Sequence, residues 1–471
     1  MHPGPFIFSQ RLTSTESESY DFFRTRTAQE ISGCFGSAFW DRLVLQISCR
    51  EPSILHAVIA VGSLHRSYES NFSPNVVSVD AHQLFGLQQY NKAIGCLKSR
   101  FCDTGDPNVT EIVLMSCVLF ICLELLQGRN KAAITHLQNG LKILCDSTSQ
   151  RHCQPAEDHR WQLKAELRST EEHLVESFAR LDIQSAMFGE RSPRLFLVPK
   201  QNKVEDDLWV PGTFHSLVEA RQYLDTLTNA TFRFRGHMAN NNIYCLKDRC
   251  RPSTMEDTAV EQQHEIQSRL ASWSMAFNRF RTNLRQSLVQ KEMRTIMLLR
   301  IHYIALSILL SACLSTRETV YDEFTTEFEK MVSLVKRYLE DKTKSVSVLS
   351  SSRPTFILEM GIIPPLYLAA IKCRQPAIRR QAVSLLFCSP HREGMWDTKV
   401  AKFATAIIAI EEAAAGLEET EALGGYVPEH ARFHDVALDV SEDGKRGTLA
   451  CGRFRFETDG GWHVREKSFT L

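Results

Sequence analysis

Residues 106–145, DPNVTEIVLMSCVLFICLELLQGRNKAAITHLQNGLKILC, read as a helical hairpin whose first member is buried on every side. Asp106 can cap the free N–H groups of a first turn, and Pro107 sits where its own missing N–H costs nothing. Between positions 112 and 123 nearly every residue is apolar, with no polar face until Glu124. A helix with that pattern belongs inside a core. Gly128 can take the left-handed conformation that ends such a helix, and Asn130 can cap the next one. In the second helix Ile134, Leu137, Leu141 and Leu144 recur at spacings of three and four, beside small Ala133 and Gly140. Glycine inside a helix costs roughly 1 kcal/mol against alanine, so Gly140 predicts another backbone packed close to it.

The segments around the hairpin share its character. Residues 14–33 offer Ser14 or Thr15 as a helix cap with acidic residues in the first turn, and residues 37–49 supply Phe39, Trp40, Leu43, Leu45 and Ile47. Residues 51–69 begin with Pro52 in a first turn and place Ile54, Val58 and Val61 on one stripe, and residues 80–101 form another amphipathic helix. QQYNKAIGCL (88–97) and GRNKAAITHL (128–137) share a polar turn followed by a loose Lys-Ala-Ile-x-x-Leu pattern. This resembles the stacked helix pairs of tetratricopeptide-like solenoids; two weak copies support a common hairpin geometry rather than a repeat array.

Residues 147–158 predict a loop, and residues 161–188 a long helix. Residues 190–214, with three prolines and mixed charge, read as an internal linker or excursion. Helices resume at 214–231, 255–290 and 295–314. Within 319–342, Phe324, Phe328, Met331, Val335 and Tyr338 fall at helical spacing, and 342–354 is a serine-rich loop. After Gly424 and Gly425 the pattern alternates instead: Val436, Leu438 and Val440, a turn at EDGK, then TLACGRFRFE, a turn at DGG, and GWHVREKSFTL. That alternation predicts three antiparallel strands. The fold class is therefore mainly α, a solenoid-like, multi-helical body of packed helical hairpins over residues 16–425. An arm at 1–15 holding Pro3 and Pro5 precedes it, and a small C-terminal antiparallel β-sheet at 426–471 packs on it.

Composition excludes several classes. With 43% hydrophobic and 23% charged residues, neither disorder nor a membrane bundle is expected. Fifty-five basic and 55 acidic side chains cancel, so no overall field attracts a phosphate backbone. The 14 cysteines are scattered, and Cys117, Cys122 and Cys313 sit inside apolar helical patterns, as small buried hydrophobes of a reducing compartment do. MHPGPFIFSQRL lacks the basic start and long apolar run of a secretory signal. Residues 295–314 reach membrane-spanning length but carry Arg300 and His302, which favours a buried core helix and no membrane partner.

Motifs of catalysis and metal binding fail on inspection. GxGxxG, GxxxxGK[ST] and GxSxG are all missing from the sequence. His264-Glu265 begins like a zinc-protease helix, but Ser268 stands where the second histidine belongs. His430 and His434 would share a helical face, yet their segment reads as strand. Cys245 and Cys250 with His237, and His152 and Cys153 with His159, lack the C-x2-C pairs of structural zinc sites. No catalytic, cofactor-binding or metal-ligating residue is assigned, and no cofactor is expected.

Residues 364–397, PPLYLAAIKCRQPAIRRQAVSLLFCSPHREGMWD, carry another kind of information. Pro364 and Pro365 break or restart a helix, Pro376 opens the next, and Ile378, Ala382, Leu385 and Leu386 form its buried stripe before Pro390 stops it. Arg379 and Arg380 begin that helix's polar side, and Arg392, Glu393 and Trp396 crowd the turn after it. One reading is an Arg–Glu network locking the helix to its neighbours with Trp396 as anchor. The other is a surface for an effector or partner. The first is preferred.

The block CRQPAIRRQAVSLLFCSPHREGMWD (373–397) resembles the C-terminal signature of the fungal-specific transcription factor domain, in the branch usually attached to six-cysteine binuclear zinc-cluster proteins. LMSCVLFICLELLQG and AAITHLQNGLKIL resemble that family's central helices, and EPSILHAVIAVGSLHR its early helix; the resemblance runs from about residue 39 to the end. It implies a nuclear regulatory protein of a metabolic or secondary-metabolite gene set, working through protein partners or a homo- or heterodimer, with an unidentified small-molecule effector left open. Family members read DNA with a C-x2-C-x6-C repeat, and no C-x2-C occurs here. The zinc ligands carry over to no residue, so direct DNA binding is not expected of this chain. Two other readings stand beside this one. The first is a biosynthetic-pathway enzyme using an unrecognised site on the helical body, which a pocket with converging His, Asp or Arg would favour. The second is a cysteine repeat lying upstream of the sequence given.

Overall fold

A computed structural model describes all residues except 1–10, 71–79, 101–107, 153–159, 165, 190–191, 200–207, 241–252, 285–289, 345–352, 389–390, 418–426, 441–445, 455–461 and 471. The first helix, α1 (Ser14–Phe22), starts on a capping box. The Thr13 hydroxyl accepts from the Glu16 N–H at 3.3 Å, and the Glu16 carboxylate accepts from the Thr13 N–H at 3.0 Å. The cap is thus Thr13 rather than Ser14 or Thr15, with Glu16 reaching back from the third helical position. A π turn at Phe23–Thr27 continues into α2 (Ala28–Ile31), and a second at Phe39–Leu43 leads into α3 (Val44–Ser48).

Next come α4 (Pro52–Ser70), α5 (Ala81–Arg100), α6 (Val109–Leu126) and α7 (Asn130–His152), paired α4 with α5 and α6 with α7, with α4 also against α6. Every residue of α6 from 112 to 126 is buried, as its unbroken apolar run requires. Within that run Ser116 donates to the Ile112 carbonyl at 2.8 Å, and one oxygen of Glu124 accepts from the Tyr90 hydroxyl at 3.1 Å. The helix starts at Val109 with Asn108 before it, later than expected; Asp106 and Pro107 lie outside the described residues. Gly128 turns the chain at φ +76°, and Asn130 opens α7 while its side-chain amide donates to the Met395 carbonyl at 3.0 Å.

The neighbour of Gly140 is not a backbone. A Cβ there would run into the ring edge of Phe178. Close backbone approach occurs instead at Gly62 of α4, where a Cβ would run into the Ser19 carbonyl of α1 and lie 3.2 Å from the Phe23 nitrogen. Both glycines exchange helix propensity for contact.

Three further expectations change. α7 runs to His152, through residues read as loop. The helix expected from 161 begins only at α8 (Thr170–Phe188), on a Ser169–Glu172 capping box, while Arg160–Gln162 forms strand β1. β1 pairs in parallel with β2 (Phe196–Val198), Trp161 opposite Leu197. Residues 195–198 are therefore no linker: Leu195, Leu197 and Val198 are buried. Their backbone is satisfied by distant side chains. Asp182 accepts from the Leu195 N–H at 2.8 Å, and Asn229 accepts from the Leu197 N–H at 3.1 Å and donates to the Leu195 carbonyl at 3.0 Å.

A second apolar cluster forms among α9 (Leu217–Asn240), α10 (Ser253–Asn283) and α11 (Gln290–Ala312) around Trp273, which stacks on Phe277 at 4.7 Å and on Tyr303 at 5.6 Å. α11 gives Leu298, Ile301 and Ile308 to the main core and Ile296, Leu299, Leu306 and Leu310 to the second cluster. That double duty explains why it is apolar all round. By length and composition α6 and α11 could each cross a membrane, but 83% and 61% of their apolar windows are buried against other helices.

A 3-10 turn at Glu318–Phe324 precedes α12 (Thr325–Lys344), and β3 (Thr355–Ile357) precedes α13 (Ile363–Lys372) and α14 (Pro376–Phe387). β4 (His391–Glu393) pairs in parallel with β3 and antiparallel with β5 (Trp396–Asp397). After α15 (Val400–Ala414), strands β6 (Asp435–Val440), β7 (Arg446–Phe454) and β8 (Trp462–Thr470) form the expected antiparallel meander. Phe403 and Ile407 of α15 with Phe433, Leu449 and Cys451 join the sheet to the helices.

Replacing Gly140 with alanine forces Phe178 to move. Overpacking of this kind costs about 1–3 kcal/mol, more than the roughly 1 kcal/mol gained in helix propensity. Chemical denaturation of Gly140→Ala should show a net loss that Phe178→Leu partly restores. Gly95→Ala, where a Cβ meets nothing within 4 Å, should gain up to about 1 kcal/mol.

Candidate functional site

The 373–397 block falls into two parts. In the first, Gln375 caps α14 by accepting from the Ala377 and Ile378 N–H groups at 2.7 and 3.2 Å. Arg379 is 1% exposed, so it does not start the helix's polar side. Its spacing to Ala382 and Leu386 puts it on the buried stripe, where it donates to the Ala370 carbonyl at 3.0 Å and to Glu411 of α15 at 2.7 Å. Arg374 joins Glu411 at 3.1 Å and Glu318 at 3.2 Å, and Lys372 reaches Glu318 at 2.7 Å. Arg432 holds Asp322 through two donors at 2.9 and 2.8 Å. Glu411 also accepts from the Phe433 N–H at 2.9 Å, and Glu429 accepts from the Glu318 and Thr319 N–H groups at 2.9 and 2.8 Å.

Lys372, Arg374, Arg379 and Arg432 thus meet Glu318, Asp322 and Glu411, while Glu429 is held by backbone N–H groups and by His434. Burial alone would raise the Glu411 carboxyl, but the guanidinium groups of Arg374 and Arg379 and the Phe433 N–H hold it below the usual carboxylate range. Arg380 alone of the arginine pair faces outward, bound to Glu412 at 2.9 Å. Glu411 escaped the sequence reading, although it lies four residues after Ile407 and eight after Phe403, on the apolar stripe of α15. An acid on a buried stripe is the signal that could have found it.

The second part is the β4–β5 hairpin. Glu393, 2% exposed, accepts from the Ile362 and Ile363 N–H groups at 2.8 and 2.7 Å and so caps α13 from outside its own helix. His391 Nε2 lies 2.8 Å from the same carboxylate. Arg392 donates to the Leu125 carbonyl at the end of α6 and to Asp397 at 2.9 Å. Trp396 packs edge-on against Phe188 at 5.4 Å and against Tyr367 at 5.6 Å. Arg392, Glu393 and Trp396 are therefore brought together, Arg379 belongs to the charge cluster, and Arg380 lies at its rim.

Two other groupings were not foreseen. Glu30, His65 and Glu69 place ligand atoms within 4.8 Å of one another. The Arg26 guanidinium lies 3.4 Å from Glu30 and 2.9 Å from Glu69, so a cation already fills the position a metal would take. The other grouping is a cleft among α8, α9, α11 and α13, where Arg221, Asp225 and His302 line one wall. Arg180 bridges Glu176, Asp225 and Glu359 at 2.8, 3.3 and 3.5 Å. Arg221 pairs with Glu359 and lies over the Phe35 ring at 3.9 Å. His302 Nε2 lies 2.7 Å from the Gly361 carbonyl and donates to it, and burial holds its imidazole below the ordinary pKa.

Of the histidines considered for metals, His434 lies 3.3 Å from Glu429, and His430 sits in the short Glu429–Ala431 turn. Cys153, His159, Cys245 and Cys250 lie outside the described residues. Among the described residues the cysteines form no disulfide. Burial pushes the Cys117 thiol up to about 11.

Residues 18–388 match the sequence model of the fungal specific transcription factor domain. The chain belongs to that family. It is 23% identical to the aspercryptin biosynthesis cluster-specific transcription regulator atnN of Emericella nidulans over 497 aligned residues, 89% of this chain and 77% of that protein. It is 32% identical to the transcription regulator lscL of Purpureocillium lilacinum over 130 residues, 26% of this chain and 30% of that protein. No solved structure matches. The family match starts earlier than the resemblance read from the sequence and ends before Arg392, so it holds Arg374 and Arg379 but not Glu411, the β4–β5 hairpin or the C-terminal sheet.

Removing the Glu411 charge leaves two buried guanidinium groups short of a partner. Glu411→Gln should cost about 3–5 kcal/mol at pH 7, whereas Arg380→Ala, at the partly exposed rim, should cost about 1 kcal/mol or less. Because the folded pKa of Glu411 is depressed, its stabilisation is present above the unfolded carboxylate value near 4.3 and is lost as pH falls through the folded value. Denaturation midpoints of wild type and Glu411→Gln should begin to converge as pH falls below about 4.3 and meet only below the depressed folded value.

Proposed function

We propose that this protein regulates transcription of a secondary-metabolite gene set in the nucleus, and that the helical body is its regulatory part. The family match over residues 18–388, joined to similarity along 89% of the chain with a biosynthesis cluster-specific regulator, carries this reading. The body acts through a protein partner or a dimer. The charge balance of these 471 residues supports that route: 55 basic and 55 acidic side chains cancel, so no general basic field draws the helical body to DNA.

The enzyme reading has one observation in its favour, the convergence of Arg221, Asp225 and His302 on a cleft. These groups are already engaged. Asp225 lies 3.3 Å from Arg180 and 3.7 Å from Arg221, and His302 spends its Nε2 proton on Gly361. Groups tied into these pairs are placed to hold charge rather than to move a proton, so the geometry suits binding better than turnover.

Deleting the gene in its host should change transcript levels of a contiguous biosynthetic gene set, and a fluorescent fusion should accumulate in nuclei. Unchanged transcripts together with exclusion from nuclei would overturn the proposal. The purified chain should hold no stoichiometric zinc and should not shift promoter DNA alone; two zinc ions per chain would remove the partner route.

A further inference from the structure

Arg221 is 6% exposed, yet its Nη1 has no hydrogen-bond partner. An unmade hydrogen bond on a buried charged donor is expensive and calls for an explanation. Arg221 lines the cleft among α8, α9, α11 and α13, which encloses a cavity of about 40 Å³ and opens to solvent at its mouth. That enclosed space exceeds the roughly 10–15 Å³ that one water needs, so it admits the polar end of a small molecule whose remainder lies along the mouth. The remaining wall is apolar, with Leu224, Leu299, Leu306 and Ala305, and Met187 and Met360 near the surface. Methionines adapt their shape to a ligand at little cost.

The charge around Arg221 selects the ligand. Arg180 and Arg221 face Glu176, Asp225 and Glu359, so carboxylates outnumber guanidinium groups by three to two. His302 adds no charge, since burial disfavours its protonation. A carboxylate or phosphate ligand would enter a neighbourhood that already carries excess negative charge. An ammonium group would meet the unpaired donor face of Arg221. A neutral oxygen acceptor suffers neither penalty and supplies what Nη1 lacks.

We propose that this cleft binds a neutral, mostly apolar small molecule whose carbonyl oxygen accepts from Arg221 Nη1 while its hydrocarbon part lies against the leucines and methionines. The site lies where α11 joins the two apolar clusters, so a bound molecule stabilises their junction. Binding stands or falls independently of whether the chain regulates genes.

The test uses the full chain and three probes of equal length: 2-heptanone, heptanoate and heptylamine. Ligand-observed NMR and thermal unfolding should show saturable binding of 2-heptanone, with a Kd of roughly 0.1–10 mM, and at least tenfold weaker binding of the two charged probes. Ala305→Leu fills the cavity without touching the ion network and should abolish the signal. Arg221→Met, if folded, should weaken 2-heptanone at least tenfold. Three results would each overturn the proposal: heptanoate binding as well as the ketone, unchanged ketone binding in Ala305→Leu, or no saturable binding of any probe, which would leave water as the partner of Nη1.

Discussion

From Ile112 to Leu126 every residue of α6 is buried, so little solvent reaches the carbonyl groups near its C-terminal end. Its last turn leaves carbonyl groups without intrahelical donors. The Leu125 carbonyl receives Arg392, from a hairpin 267 residues further along the chain. A guanidinium at a helix C-terminus also meets the negative end of the helix dipole. The hairpin that supplies it is held in turn: Glu393 caps α13, Asn130 of α7 donates to Met395, and Trp396 fills the space between Phe188 and Tyr367. Burying α6 therefore commits the C-terminal third of the chain to one position.

Beyond that hairpin the charge cluster around Glu411 does similar work for α13, α14, α15 and the sheet. Paired buried charges contribute little net stability compared with apolar packing of the same volume, while an unpaired one is severely destabilising. Their effect is on arrangement. Lys372 donates to Glu318 and to the carbonyls of Phe433 and His434, so the chain entering β6 is tied to the end of α13 and to the turn before α12. A slipped register of any of these elements would strand a buried cation or carboxylate.

What the sequence made legible follows from this. Local signals were sufficient where a segment's neighbours are apolar: the burial of α6, the one-sided α7, the proline starts of α13 and α14, and the alternation of β6–β8 all depend on periodicity. They failed where a distant polar side chain decides. Trp161 and residues 195–198 form strands because Asp182 and Asn229 satisfy the second strand's backbone from α8 and α9. Arg379 looked like a surface residue because arginine is rarely buried unpaired, and its partner Glu411 stands 32 positions away. Gly140 announced a close contact without revealing that an aromatic ring, and not a backbone, makes it.

The Glu411 cluster and the α11 junction both leave guanidinium nitrogens without a partner, Arg374 Nε and Arg379 Nη1 in the first and Arg221 Nη1 in the second. Around Glu411 each carboxylate has a cation or backbone N–H within hydrogen-bond distance. At the junction spanned by α11, Arg221 keeps an unused donor beside a cavity and adaptable methionines. A buried ion network resists change because every alternative strands a charge. A ligand in the cavity would shift any equilibrium at the junction by its differential affinity alone. The proposed ligand would thus act where the two apolar clusters meet, while the ion pairs around Glu411 hold the C-terminal elements in place.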